Sequence, residues 1–244
     1  MSDLLLEKAS SLFRLNNGLN NADPIRLKSL LQKLNVITIF SPLSDNFSGM
    51  ALKANDKRFM LVNSNQSLGK QHFTICHELY HLFEQEDFTS QVCHAGLFNK
   101  KADKNEYNAD VFASYLLLPT EGLLKYIPDT EIEKKRISLK TILFIEHFYS
   151  CSRRALLVRL KNLKLITSEE YDLFTKNIRR GAFENGYNDA LYRCGNQKTV
   201  IGDYGIVAKQ LFDNQTVSES HYYSLLADIG IDVTQIDEGQ NGED

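Results

Sequence analysis

The sequence predicts an α+β fold, a small N-terminal sheet with many helices around and after it. Three observations carry this. β-branched and aromatic runs cluster between residues 36 and 63, and helical spacing of Leu and Ile governs most of the remaining chain. The third is composition: 43% apolar and 24% charged residues in 244 suit a soluble globular chain long enough to bury a core. No repeat or low-complexity tract interrupts it.

The elements follow in order. Residues 3–15 and 24–34 read as helices, with Pro24 suited to a first helical turn. "VITIF" (36–40) reads as a strand. "SGMALKAN" and "RFMLVN" flank the turn signal Asn55-Asp56-Lys57 and read as a hairpin. A helix is predicted from about Lys70 to Glu84, then a long polar loop, "EQEDFTSQVCHAGLFNKKADKN". Long loops in compact domains are often functional. A second long helix is predicted from Asp103 to Leu118, stopped by Pro119. Thr120 is predicted to cap "TEGLLKYI". Ser138 and Ser152 cap two helices that form a helix-turn-helix-like pair over 138–163. Three further helical segments follow, "TSEEYDLFTKNI", "GDYGIVAKQLF" and "SESHYYSLLADIG", and the last dozen residues are acidic. The expected division is a domain over 1–166 and a helical appendage with an acidic tail over 167–244.

Charge and cysteine use bound the function. The net charge of −3 gives no global pull toward nucleic acid or membrane. Lys134 to Arg180 holds twelve Lys/Arg against four Asp/Glu, whereas the chain after Lys209 has eight acids and no Lys or Arg. A solvated or self-neutralising surface is the plainer reading of that asymmetry; an acidic partner is the other. No run has the length of a membrane span, and the N-terminus lacks the basic start of a signal peptide. The expectation is a cytoplasmic protein whose Cys76, Cys93, Cys151 and Cys194 are free thiols.

The informative stretch is "TICHELYHLF" (74–83). His77-Glu78-Leu79-Tyr80-His81 fits H-E-x-x-H. On a helix, residues four apart share one face, about 6 Å apart along the axis. Two imidazoles there can converge on one Zn²⁺. Glu78, about 100° round the helix, is off the ligand direction but can reach a water on such an ion and act as general base. A buried helix commonly carries one histidine; two at this spacing with a glutamate between is a much rarer accident. The surrounding Phe73, Cys76, Leu79, Tyr80 and Phe83 supply the apolar face that a buried helix needs.

A catalytic zinc takes a third protein ligand and keeps one position open. Glu106, 25 residues after His81, completes a His₂Glu set. Asp110, one turn on, can accept the outer N–H of a ligand histidine and fix its tautomer. Two solvated acids favoured by the helix dipole are the plainer reading, weakened by the histidine motif nearby. Cys93 could offer a thiolate to the open position, though a plain polar loop is favoured. His147 and His221 could donate to an oxyanion, and structural roles are favoured for both. Arg153, Arg154 and Arg159 could read DNA only from an exposed helix, and Leu156, Leu157, Leu160 and Leu163 argue that this helix is largely buried.

"HFTICHELYHL" followed by "EYNADVFASYLLLP", then "SCSRRALLVRLKNLKLI", resembles the ImmA/IrrE metallopeptidase family over about Ser48 to Ile166. Phe73, Thr74, His77, Glu78, His81, Glu106, Ala109, Asp110, Phe112, Ala113, Leu116, Leu117 and Pro119 match its pattern. Cys76 stands where that family usually has Ala, Tyr80 where it usually has Gly, and Asp110 where it more often has Asn. In this reading Tyr80 narrows the cleft.

The resemblance implies a gluzincin-like zinc peptidase core in 1–166. Zn²⁺ would lie on His77, His81 and Glu106, with Glu78 catalytic and Asp110 behind the ligands. It also implies a helix-turn-helix transcriptional repressor as the substrate, whose cleavage derepresses a mobile element or stress genes, with no direct nucleic-acid or membrane partner. The alternative expectation is a non-proteolytic, zinc-stabilised module that grips such a regulator. An intact Glu78 favours the peptidase, because a structural metal has no need of a base.

Overall fold

A computed structural model describes residues 1–54, 56–86, 88, the backbone of 90–93, and 103–231. Asn55 of the predicted turn, His94 with the Cys93 side chain, and the acidic tail from 232 lie outside the described residues.

The fold is α+β. Two helices, α1 (Asp3–Asn16) and α2 (Leu27–Lys33), precede β1 (Val36–Ser41), β2 (Gly49–Ala54) and β3 (Lys57–Asn63). Then come α3 (Leu68–Phe83), β4 (Ser90–Cys93) and α4 (Lys104–Leu117). Four helices follow, α5 (Thr120–Tyr126), α6 (Asp129–Lys134), α7 (Leu139–Tyr149) and α8 (Arg153–Asn162). The chain goes on through α9 (Ser168–Phe174), α10 (Ile178–Glu184), a 3₁₀ turn (Ala190–Tyr192), β5 (Val200–Ile201), α11 (Tyr204–Asp213) and α12 (Glu219–Asp228).

The five described strands form one sheet in the order β4-β2-β3-β1-β5. The expected hairpin is β2–β3, antiparallel and closed at Ala54↔Lys57, and β1 lies parallel to β3. Two strands were not expected. β4 arises inside the segment read as an irregular loop and pairs antiparallel with β2, from Gly49↔Cys93 to Leu52↔Ser90. Its sequence, "SQVC", has little strand character; the free N–H and C=O groups along the edge of β2 form it instead. β5, from the expected appendage, pairs with β1 at Thr38↔Ile201.

The core lies between the sheet and the long helices. Leu6 and Phe13 of α1, Val36 and Phe40 of β1, Met60 and Val62 of β3, Leu79 of α3 and Phe112 and Leu116 of α4 are all buried. Arg14, at the end of α1, is buried with them and donates to the carbonyls of Leu116, Asn20 and Asp23. A cation on the last carbonyls of α4 is electrostatically favourable and fixes α1 against the helix that carries Glu106.

Two predicted starts shift. Pro24 precedes α2, because Asn20 Oδ1 takes the amides of Ala22 and Asp23 and holds this stretch as a turn. Thr120 does not cap α5; Pro119 takes the cap position, and the Thr120 hydroxyl donates to Glu7 and accepts from the buried Arg159. Ser138 and Ser152 do cap α7 and α8, accepting from the amides of Thr141 and Ala155. On α8, Arg153 and Arg159 are 3% and 2% exposed and bonded inward, while Arg154 is exposed.

Candidate metal centre

α3 is buried through its middle from Phe73 to Leu82, with the sheet on one side and α4 along another. His77, Glu78 and His81 are all at 0% exposure. The histidine motif is therefore both part of a buried helix and a cluster of polar groups that must be satisfied there. α4 brings the third group. Asp103 Oδ1 accepts the amides of Asn105 and Glu106, which starts α4 with Glu106 in its first turn, facing α3.

Three donors converge. His77 Nε2 and His81 Nε2 are 3.2 Å apart, and the two Glu106 oxygens lie 3.3 Å from the first and 3.2 Å from the second. Donors on a tetrahedron with bonds of about 2.0–2.1 Å are spaced by about 3.3 Å, so these residues fit a small cation. The other ring nitrogens are turned outward and held. His77 Nδ1 donates to Asp110 Oδ1 at 2.9 Å, and His81 Nδ1 donates to Gln85 Oε1 at 2.5 Å. With both Nδ1 protons committed, both Nε2 lone pairs face each other and the carboxylate, an arrangement stabilised by a positive charge among them. His77, His81 and Glu106 form the described group that could hold a metal ion.

The protonation pattern agrees. Burial alone would lower the pKa of His77, but its bonds to Asp110 and Glu106 and the charge of Glu78 push it up to about 10. Burial would raise Glu106, yet the two imidazoles hold it well below the usual carboxylate range. The site attracts a cation, and without a metal a proton takes that place.

Glu78 is not one of the donors; its carboxylate lies against the start of β2. A Cβ on Gly49 would come within 2.8 Å of Glu78 Oε1 and 2.6 Å of Thr74 Cγ2, so the glycine makes the space that this carboxylate occupies. Asp110 is 2% exposed and behind His77, as expected from one turn's separation from Glu106. Tyr80 does not line a cleft. It is 3% exposed, packed on Phe112 and edge-on to His81, with ring centroids 5.6 Å apart in both pairs.

Three residues at the centre escaped the sequence. Gln85 stands four residues after His81, just past the end of α3, and that spacing could have shown it. Phe88 stacks on His81 with centroids 5.2 Å apart and planes 26° from parallel, from the segment read as a loop. Gly49 carries no local signal, because only the approach of α3 makes it necessary.

The sequence profile of Peptidase M78, the IrrE N-terminal-like domain, matches residues 31–161, more than half of the chain. The chain belongs to this family. A search of curated proteins finds no match. The family match spans both α3 and α4, so the segments that build the cluster are family segments. It makes this a metallopeptidase-family domain, and the cluster of two histidines and a glutamate is chemically what such a domain uses. Among the described residues, no helix is long and apolar enough to cross a membrane.

Proposed function

We propose that this chain is a cytoplasmic zinc endopeptidase that cleaves a helix-turn-helix transcriptional repressor and so derepresses mobile-element or stress genes. The observation that carries the reading is the convergence of His77, His81 and Glu106 at 3.2–3.3 Å, with Glu78 buried beside them. Zn²⁺ suits two imidazoles and one carboxylate, and when bound it supplies Lewis acidity at the scissile carbonyl.

The protein's own groups do the rest. Asp110 and Gln85 hold the imidazoles in the tautomer that presents Nε2. Glu78 accepts the proton of the attacking water at its carboxylate and returns it to the leaving amine. Its burial keeps bulk water away, which strengthens every charge interaction in the site.

Incubating the purified chain with a helix-turn-helix repressor, taken from a neighbouring gene where one is present, tests this. Wild type should cut the repressor at a defined bond, and Glu78→Gln should keep its zinc and leave the repressor whole. Undiminished cutting by Glu78→Gln would remove the mechanism. A repressor bound but uncut by the zinc-loaded wild type would favour the gripping module instead. Casein should be cut poorly, since a one-substrate peptidase needs docking beyond the scissile residues.

A further inference from the structure

Away from the metal centre, α8, α10 and the 3₁₀ turn enclose an open groove of about 630 Å³. Arg153, Arg154, Arg179 and Arg180 line it, with Tyr192 and Leu191 on the apolar wall. We propose that this groove binds a small molecule bearing a phosphate group, with the phosphate on Arg154 and the first turn of α8 and the body against Tyr192 and Leu191.

The charges argue for an anion. Arg154 is exposed and, among the described residues, makes no ion pair. Burial and then the Arg154 charge lower the pKa of Lys70 on α3, with Asp45 opposing. An anion on Arg154 offsets that repulsion. Arg153 is 3% exposed at the base of the groove. Its Nε donates to Glu146 at 2.7 Å and its Nη1 to the Phe174 carbonyl at 3.1 Å, while Nη2 has no hydrogen-bond partner. Arg179 and Arg180 pair with Asp189 and Glu184 at exposed positions, and such pairs yield readily to a stronger anion. The first turn of α8, a ten-residue helix, carries its positive end; Ser152 takes the amides of Ala155 and Leu156, so those of Arg153 and Arg154 are the ones that face an anion.

Size and shape argue for a small molecule. About 630 Å³ lies within the usual range of small-molecule sites, about 300–1,000 Å³, and more than a bare phosphate fills. A nucleic-acid backbone is met by cations that project from a surface, whereas Arg153 lies buried at the base of a concavity. The groove also touches Ser67, the cap of α3, and the Leu68 amide bonds the Arg193 carbonyl at 2.9 Å, just after the 3₁₀ turn. A ligand here therefore bears on the helix that carries His77 and His81.

Calorimetry on the full chain, with inorganic phosphate and adenosine monophosphate as probes in about 0.1 M salt, tests the site. Adenosine monophosphate should bind once per chain, about tenfold tighter than phosphate because of the Tyr192 wall. Arg154→Gln should weaken both probes about tenfold with an unchanged melting temperature. Arg136→Gln, an exposed arginine on the α6–α7 connection, should leave both unchanged. No saturable binding of adenosine monophosphate up to about 10 mM, or binding within about twofold of wild type in Arg154→Gln, would overturn the proposal. So would equal affinity for the two probes, or a salt-steep complex with duplex DNA that Arg154→Gln abolishes while neither small probe binds.

Discussion

His81 Nδ1 donates to Gln85 Oε1 at 2.5 Å, two residues past the end of α3. It is the counterpart of the bond from His77 to Asp110, supplied from just past the end of the same helix. Each acceptor fixes the tautomer of one imidazole. Gln85→Leu should therefore weaken zinc about tenfold, because His81 is then free to rotate or to move its proton. Asp110→Asn keeps an acceptor oxygen and should also lose about tenfold, while Glu106→Gln should lose most, as it removes the charged donor. Competition against a chelator measures all three. Wild-type affinity in Gln85→Leu would make that bond incidental.

Gly49 should be essential through space alone. An added Cβ would stand 2.8 Å from Glu78 Oε1 and 2.6 Å from Thr74 Cγ2. One of them must move, and overpacking of this kind typically costs about 1–3 kcal/mol. Gly49→Ala should keep zinc, since no donor is displaced, yet lose most cleavage, since Glu78 shifts. Full cleavage with a normal melting temperature would show that the carboxylate has room to adjust.

What the sequence made legible is what one helix or one fixed spacing encodes. H-E-x-x-H needs only the period of α3, and Glu106 with Asp110 only the period of α4, so those positions follow from spacing along the chain. β4 was missed because its partner is the edge of β2 rather than its own residues, and β5 because a two-residue strand has no periodicity. Thr120 reads locally as a cap, but the buried Arg159 needs acceptors and takes its hydroxyl. Gly49 and Phe88 matter only once α3 lies across the sheet. The expected helix-turn-helix pair does form as α7 and α8, while the burial of Arg153 and Arg159 decides which arginine faces out.

His72 gives a pH dependence of defined sign. It sits early in α3, with Nδ1 donating to the Ser150 carbonyl at 2.7 Å. Burial lowers its pKa, helped by the Lys28 charge and opposed by that hydrogen bond. The unfolded value is about 6.5, so the unfolded chain takes up this proton first as pH falls. The stability tied to neutral His72 is present above about 6.5 and is lost as pH falls through the folded value. His77 runs the other way: in the metal-free protein its contribution is full below about 6.5 and is lost as pH rises through about 10. His72→Gln keeps a donor for Ser150 without the titration. Metal-free wild type should lose more stability than this variant between about pH 7.5 and 5.5 in urea unfolding. Parallel curves would remove His72 as the cause.

The pair Glu146–Arg153 should be the most sensitive point of the α7–α8 turn. Glu146 is fully buried and Arg153 nearly so, with Nε and Oε2 2.7 Å apart. Between them the chain turns through Ser150 in the left-handed region, φ 53°, so the pair clamps the turn from inside. Arg153 also satisfies the Phe174 carbonyl at the end of α9, joining a third helix to the clamp. Burial raises the pKa of Glu146 even with the guanidinium opposing it, so neither charge is comfortable without the other. Glu146→Gln leaves a buried guanidinium without its countercharge and should cost about 3–5 kcal/mol in urea unfolding. Adding Arg153→Met removes that stranded charge and should restore part of the loss, because its volume is similar and it needs no partner. A single-variant cost below about 1 kcal/mol, or a double variant no better than the single, would mean that packing rather than the charge pair holds the turn.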